Sequence, residues 1–149
     1  MRVVLQRVSE ASVTIDGQLV NEIQQGYLLL VGIVDGDTAE TVEKMAAKVH
    51  DLRIFEDENG KMNLSLKDIE GEILAVSQFT LYGDARKGRR PSFSDAARPE
   101  IANPLYEEFV QKVKDLNINV GTGKFGAHMM VDLTNDGPVT ILLESRKEF

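Results

Sequence analysis

Apolar and polar positions alternate along most of this 149-residue chain, and the period of that alternation changes by segment. RVVLQRV (2–8) reads as a strand. ASVTI and QLVNEI flank Asp16-Gly17, a pair favoured in type I′ hairpin turns because both central residues need positive φ. YLLLVGIV (27–34) is apolar without interruption, which predicts a strand covered on both faces. Asp37, followed three residues later by Glu40, has the spacing of a capping box. Val42, Met45, Ala46, Val49 and Leu52 then recur at helical spacing and form one apolar stripe.

Asn59-Gly60, between RIFED and KMNLS, predicts a second hairpin. EILAVSQFTLY (72–82) reads as a central strand, and residues 83–98, with Gly83, Gly88 and Pro91, as a loop. Asn103-Pro104 predicts a helix start, since Asn caps and Pro suits the first helical position. Leu105, Phe109, Val110, Val113 and Leu116 would be its buried face. AHMMVDLT and VTILLES read as two closing strands interrupted by NDGP. Strands with two main helices in mixed order predict an α+β fold, and the length predicts a single domain over 1–149.

Composition narrows this reading. The chain has no cysteine, which excludes disulfides and thiolate metal sites and fits a reducing compartment. The N-terminus lacks the apolar core of a signal peptide, and YLLLVGIV is too short to span a bilayer. The expected location is cytoplasmic, with no membrane partner. The net charge of −7 argues against broad, non-specific nucleic-acid binding. Yet Arg86, Lys87, Arg89 and Arg90 fall within five residues. A basic patch on an acidic body suits a partner touched at one spot.

Several segments carry candidate chemistry. Ser77, Gln78 and Thr80 stand inside an apolar run, and buried polar groups must be hydrogen-bonded. SQFT is either a strand end satisfied by neighbouring backbone or a turn whose successive N–H groups point outward and stabilise an anion. Thr80 as a nucleophile would need a base. There are two histidines: His50 borders the first helical stripe, and His128 enters a strand. No metal or cofactor motif is present, and Glu56, Asp57 and Glu58 read as solvated hairpin charge. NDGPVT (135–140) is either an ordinary turn or a cis Gly137–Pro138 bend that aims carbonyl oxygens into a cleft. The basic loop is a solvated face or a phosphate cradle. GTGKFGAHM (121–129) is a plain turn or a close approach to a ligand.

SQFTL (77–81) and NDGPVT (135–140), with RVSEASV, LRIFEDENGKMN, LYGDARKGRRPSF and FGAHM in the same order, resemble the D-aminoacyl-tRNA deacylases of the bacterial and eukaryotic cytosolic type. The resemblance covers essentially the whole chain. It implies mixed sheets forming a barrel-like core, and a homodimer with active sites at the subunit interface. It implies hydrolysis of the ester between a D-amino acid and the tRNA 3′-terminal adenosine, with glycine as a further substrate, as chiral proofreading in translation.

Carried onto this sequence, the resemblance makes Gly137 and Pro138 a chirality filter, cis and reaching into the partner's site, with Arg7 as its brace. Ser77, Gln78, Phe79 and Thr80 would line the catalytic centre, the N–H groups of Phe79 and Thr80 holding the carbonyl oxygen. Phe125, Gly126, Ala127 and Met129 would hold the adenosine. The ribose 2′-hydroxyl would assist, so no metal, cofactor or protein nucleophile is expected. Arg86, Lys87, Arg89 and Arg90 are assigned here to acceptor-stem phosphates. The rival readings are a small-ester hydrolase with a Thr80 nucleophile, a non-catalytic tRNA-end binder, and a structural dimer whose basic loop only aids solubility.

Overall fold

A computed structural model describes residues 1–148. Eight strands and two helices follow in the order β1 (Arg2–Ile15), β2 (Gln18–Ile23), β3 (Gly26–Gly32), α1 (Ala39–Asp51), β4 (Phe55–Glu56), β5 (Met62–Leu64), β6 (Glu72–Ser77), α2 (Pro99–Asp115), β7 (Val120–Thr122) and β8 (Met130–Glu144). A 3₁₀ turn, Phe79–Tyr82, follows β6. The fold is α+β, as the mixed element order predicts.

The main sheet runs β2-β1-β3-β6-β7, with β8 paired to β1. β3–β6 and β6–β7 are parallel; the other pairs are antiparallel. Asn21 Nδ2 on β2 donates to the Thr122 carbonyl on β7 at 2.7 Å, joining the two ends of that order. The sheet therefore curls into a nearly closed, barrel-like body.

The uninterrupted apolar strand β3 has a physical reason. Tyr27, Leu29 and Val31 face a core shared with α1 and α2. Leu28 turns the other way, into a second core with Val8, Val13 and Leu74. β6 does the same, with Ile73 and Ala75 on one side and Leu74 and Val76 on the other. Gly26 begins β3 because nothing larger fits: a Cβ there would lie 1.8 Å from the Glu72 carbonyl oxygen.

Both hairpin signals hold. Asp16 and Gly17 have φ of 50° and 76°, and β4–β5 closes around Asn59-Gly60. Asp57 accepts the Asn59 and Lys61 N–H groups, so this acid is a turn-forming residue.

Five expectations are corrected. The capping box of α1 uses Thr38 and Thr41, not Asp37 and Glu40. Asp37 is otherwise engaged, accepting from the Met1 ammonium at 2.8 Å and from the Val34 N–H at 2.9 Å. α2 starts at Pro99, several residues before Asn103-Pro104; Pro99 has taken the favoured first position, and Pro104 lies inside the helix. β6 ends at Ser77, since FTLY coils into the 3₁₀ turn.

Finally, NDGP does not divide two strands. β8 runs on through it, slipping register against β1 on either side of Val8. Such bulges accommodate a residue with no N–H to donate. β8 also begins only at Met130, so His128 lies in the preceding loop.

Candidate active site

β6 and β3 end side by side, with Val31 paired to Ser77. The Gln78 N–H still donates to the Val31 carbonyl at 2.7 Å, and the chain then turns. A cleft of about 550 Å³ opens at this point. Ser77, Gln78 and Phe79 form one wall, and Phe125, Gly126, Ala127, His128 and Met129 another. Two segments separated by nearly fifty residues, both singled out in the sequence, are thus brought together. The third wall is Ala96–Pro99, held to the end of β3 by the Ala97 N–H donating to the Ile33 carbonyl at 3.0 Å.

Phe79 and Thr80 are the first two residues of the 3₁₀ turn. The opening N–H groups of a helical turn have no partner within it. Neither amide donates to any other acceptor among the described residues. Phe79 lines the cleft and Thr80 follows it, and two adjacent, unspent N–H groups can stabilise a negative oxygen.

Thr80 itself does not line the cleft. Its hydroxyl accepts from Gln78 Nε2, an amide that cannot take a proton. No histidine or carboxylate among the described residues bonds to it, so no base activates it as a nucleophile.

Tyr106 was not among the candidates, yet it lines the cleft. Its hydroxyl donates to the Ala75 carbonyl at 2.8 Å, and its ring lies 6.2 Å from that of Phe125. Burial pushes the phenol well above its usual range, so it serves as a neutral donor and apolar floor. Its signal was present: Ala102, Tyr106, Phe109, Val110 and Val113 share one helical face once α2 starts at Pro99.

Arg7 is 5% exposed. Its Nη1 donates to the Ile54 carbonyl at 2.7 Å, its Nε to the Asp136 carbonyl at 3.1 Å, and its guanidinium lies over the Phe55 ring. Asn135 spans the same segment: its Oδ1 accepts the Val139 N–H at 2.7 Å, and its Nδ2 donates to Gln6. Gly137–Pro138 is cis. Both residues are exposed, and neither lines the cleft of their own chain.

The basic loop divides into two kinds of cation. The Asp84 and Ser92 backbones bond to each other twice, at 2.7 and 2.9 Å, closing the loop at its neck. Arg86 folds back onto Asp84, Nε and Nη2 gripping the two carboxylate oxygens at 2.9 and 2.7 Å. That grip, with the Arg86 N–H, holds the Asp84 carboxyl down at about 2. Arg86 thus remains exposed but is paired within the loop. Lys87, Arg89 and Arg90 are exposed and form no ion pair among the described residues. The cleft rim has a cation of its own, Arg98, which the sequence reading did not assign to the site.

Among the described residues, no group of three or more His, Cys, Asp or Glu could hold a metal ion, and no helix is long and apolar enough to cross a membrane. His50 bonds through Nδ1 to Asp51, away from the cleft.

The family model for D-Tyr-tRNA(Tyr) deacylase matches residues 4–144. A D-aminoacyl-tRNA deacylase of Clostridioides difficile (strain 630) is 64% identical over all of both chains, and one of Thermosipho africanus (strain TCF52B) 59% over all of both. A solved structure named c-Myc DNA Unwinding Element Binding Protein is 43% identical, with a TM-score of 0.90, covering 97% of this chain and 98% of that one. The match over nearly the whole length, on a chain whose SQFT and FGAHM segments share one cleft, makes this protein a member of the D-Tyr-tRNA(Tyr) deacylase family.

Proposed function

We propose that the protein hydrolyses the ester of D-aminoacyl-tRNA, releasing the D-amino acid and free tRNA, and so proofreads chirality in translation. The observation that carries this reading is the cleft with Ser77–Phe79 at one side, where two unspent N–H groups begin, and Phe125–Met129 at the other. The ester carbonyl lies at the N–H groups of Phe79 and Thr80. The terminal adenosine lies against Phe125, Gly126, Ala127 and Met129. Water adds to the carbonyl, the amides hold the oxyanion, and the ribose oxygen leaves with a proton. The neighbouring 2′-hydroxyl assists that transfer.

The chirality filter is Gly137–Pro138 of a second copy. Its exposure, away from its own cleft, supports a homodimer in which each chain completes the other's site. The exposed apolar side chains Met130, Leu133 and Leu142 along β8 support the same arrangement. Rigid carbonyls placed where an L side chain would have to go reject it without reading the D side chain. The cytoplasm, where aminoacyl-tRNA is used, is the matching location. Lys87, Arg89 and Arg90 meet acceptor-stem phosphates.

Release of tyrosine from D-tyrosyl-tRNA, compared with release from a free D-tyrosine ester, tests this reading. Rapid release from the tRNA alone is expected. Equal action on both would make the protein a general esterase, and binding without release a tRNA-end binder. Thr80→Ala is expected to lower kcat by less than about tenfold, whereas loss of a true nucleophile would cost roughly 10⁴-fold or more. Arg89→Glu combined with Arg90→Glu is expected to weaken tRNA binding and lower the slope of log affinity against log salt by roughly two. An unchanged slope would remove the loop from the interface.

A further inference from the structure

Phe79 and Phe93 are large apolar side chains left exposed, 57% and 40%, at the mouth of the cleft. Their rings meet edge to face with centroids 5.4 Å apart. The pair is built rather than incidental. Phe93 follows the neck of the basic loop, and its ring rests on Gly83, where a Cβ would come within 2.9 Å of Phe93 Cε1. Any other residue at 83 would displace the ring. Phe79 is fixed by the 3₁₀ turn that also presents the free amides.

The surroundings say what covers these rings. Arg98 shares the same rim, 81% exposed on its side chain and only loosely paired with Glu100 at 3.7 Å. The loop carrying Lys87, Arg89 and Arg90 closes at Ser92, next to Phe93. Exposed aromatic faces beside cations are the recognition chemistry of single-stranded nucleic acid: bases stack, and phosphates meet the charges. A second aromatic pair, Tyr106 and Phe125, already lines the cleft interior. Two aromatic pairs, one inside and one at the mouth, match two consecutive bases.

We propose that Phe79 and Phe93 form a second base subsite, which stacks the unpaired nucleotide immediately 5′ to the terminal adenosine, with Arg98 on the phosphate between the two. This rests on the deacylase reading above for the direction in which the RNA lies. It makes the bases held by stacking two rather than one, and gives the two rings at the mouth of the cleft a role in binding rather than in bond cleavage.

The test compares D-tyrosyl-tRNA with 3′-D-tyrosyl-adenosine, which lacks the second nucleotide. Phe93→Ala is expected to raise KM for the tRNA about tenfold with kcat within about twofold, the size of a lost base–aromatic stack. The adenosine ester should change far less. Equal loss on both substrates, or no loss on either, overturns the subsite. A loss accompanied by a changed sedimentation coefficient assigns the rings to a contact between copies and also overturns it.

A second readout needs no turnover. The chain has no tryptophan, so Phe93→Trp supplies a single tryptophan, excited selectively over the tyrosines. The dinucleotide CpA should quench it, and the same dinucleotide with an abasic first position should not. Equal quenching by both contradicts the subsite. Wild-type enzyme that releases tyrosine from neither substrate, yet shows the CpA difference in the tryptophan variant, defeats the deacylase reading and leaves the subsite standing.

Discussion

Phe79→Pro is expected to lower turnover of D-tyrosyl-tRNA on the order of 10²- to 10³-fold, the usual consequence of deleting one oxyanion donor. The substitution removes a backbone N–H at a position where the fold does not use it. Phe79 opens the 3₁₀ turn, the place in a helix where proline is tolerated. Gln78 before it has φ −144° and ψ 79°, outside the helical region that a following proline disfavours. The melting temperature should therefore stay near that of the wild type. Phe79→Ala is the control, since it loses the same ring but keeps the N–H. It should raise KM through the mouth of the cleft and leave kcat close to the wild-type value. If the alanine and proline variants lose kcat equally, the amide is not a donor to the reacting oxygen, and catalysis must be sought in a side chain.

Arg7→Leu is the second large effect. Removing the guanidinium leaves the Ile54 and Asp136 carbonyls without their donor in a buried setting. The expected loss of stability is about 3 kcal/mol, read from denaturant unfolding. The functional consequence is separate. Asp136 immediately precedes Gly137, so Arg7 ties the segment proposed as the filter to Ile54, beside β4. Discrimination against L-tyrosyl-tRNA should fall more than the rate on D-tyrosyl-tRNA does. Arg7→Lys should restore little of it, because one ammonium cannot reproduce the planar fork that spans two carbonyls. Unaltered discrimination in a folded Arg7→Leu protein would remove Arg7 from the filter.

Much of the architecture was legible because burial writes a period into sequence. Val42, Met45, Ala46 and Val49 are the buried stripe of α1, and the unbroken run of β3 does face two cores. Boundaries were less legible because several residue types compete for one role. Asp37 and Thr38 both suit a cap, and only the folded chain shows Asp37 engaged by Met1 and Val34. Pro99 and Pro104 both suit a helix start, and the earlier one takes it. NDGP looks like an interruption because proline weakens a ladder, yet the bulge against β1 absorbs it.

The site divides similarly. SQFT and FGAHM could be recognised as motifs, but only folding puts them across one cleft. Their resemblance to a known family pointed to the same residues. Arg86 could not be sorted from its neighbours in a run of like charges, although Asp84 two residues earlier was the clue to its pairing. Tyr106 and Phe93 escaped notice because each is an ordinary apolar residue locally: one belongs to a helix face, the other follows a loop. Their roles come from what lies opposite them in space.

The central claim is chirally selective hydrolysis of the tRNA ester, and a single-turnover comparison of matched D-tyrosyl-tRNA and L-tyrosyl-tRNA, without added metal, tests it most directly. The account predicts rapid release of D-tyrosine and retention of the L ester at its spontaneous rate. Release of both at similar rates would contradict it.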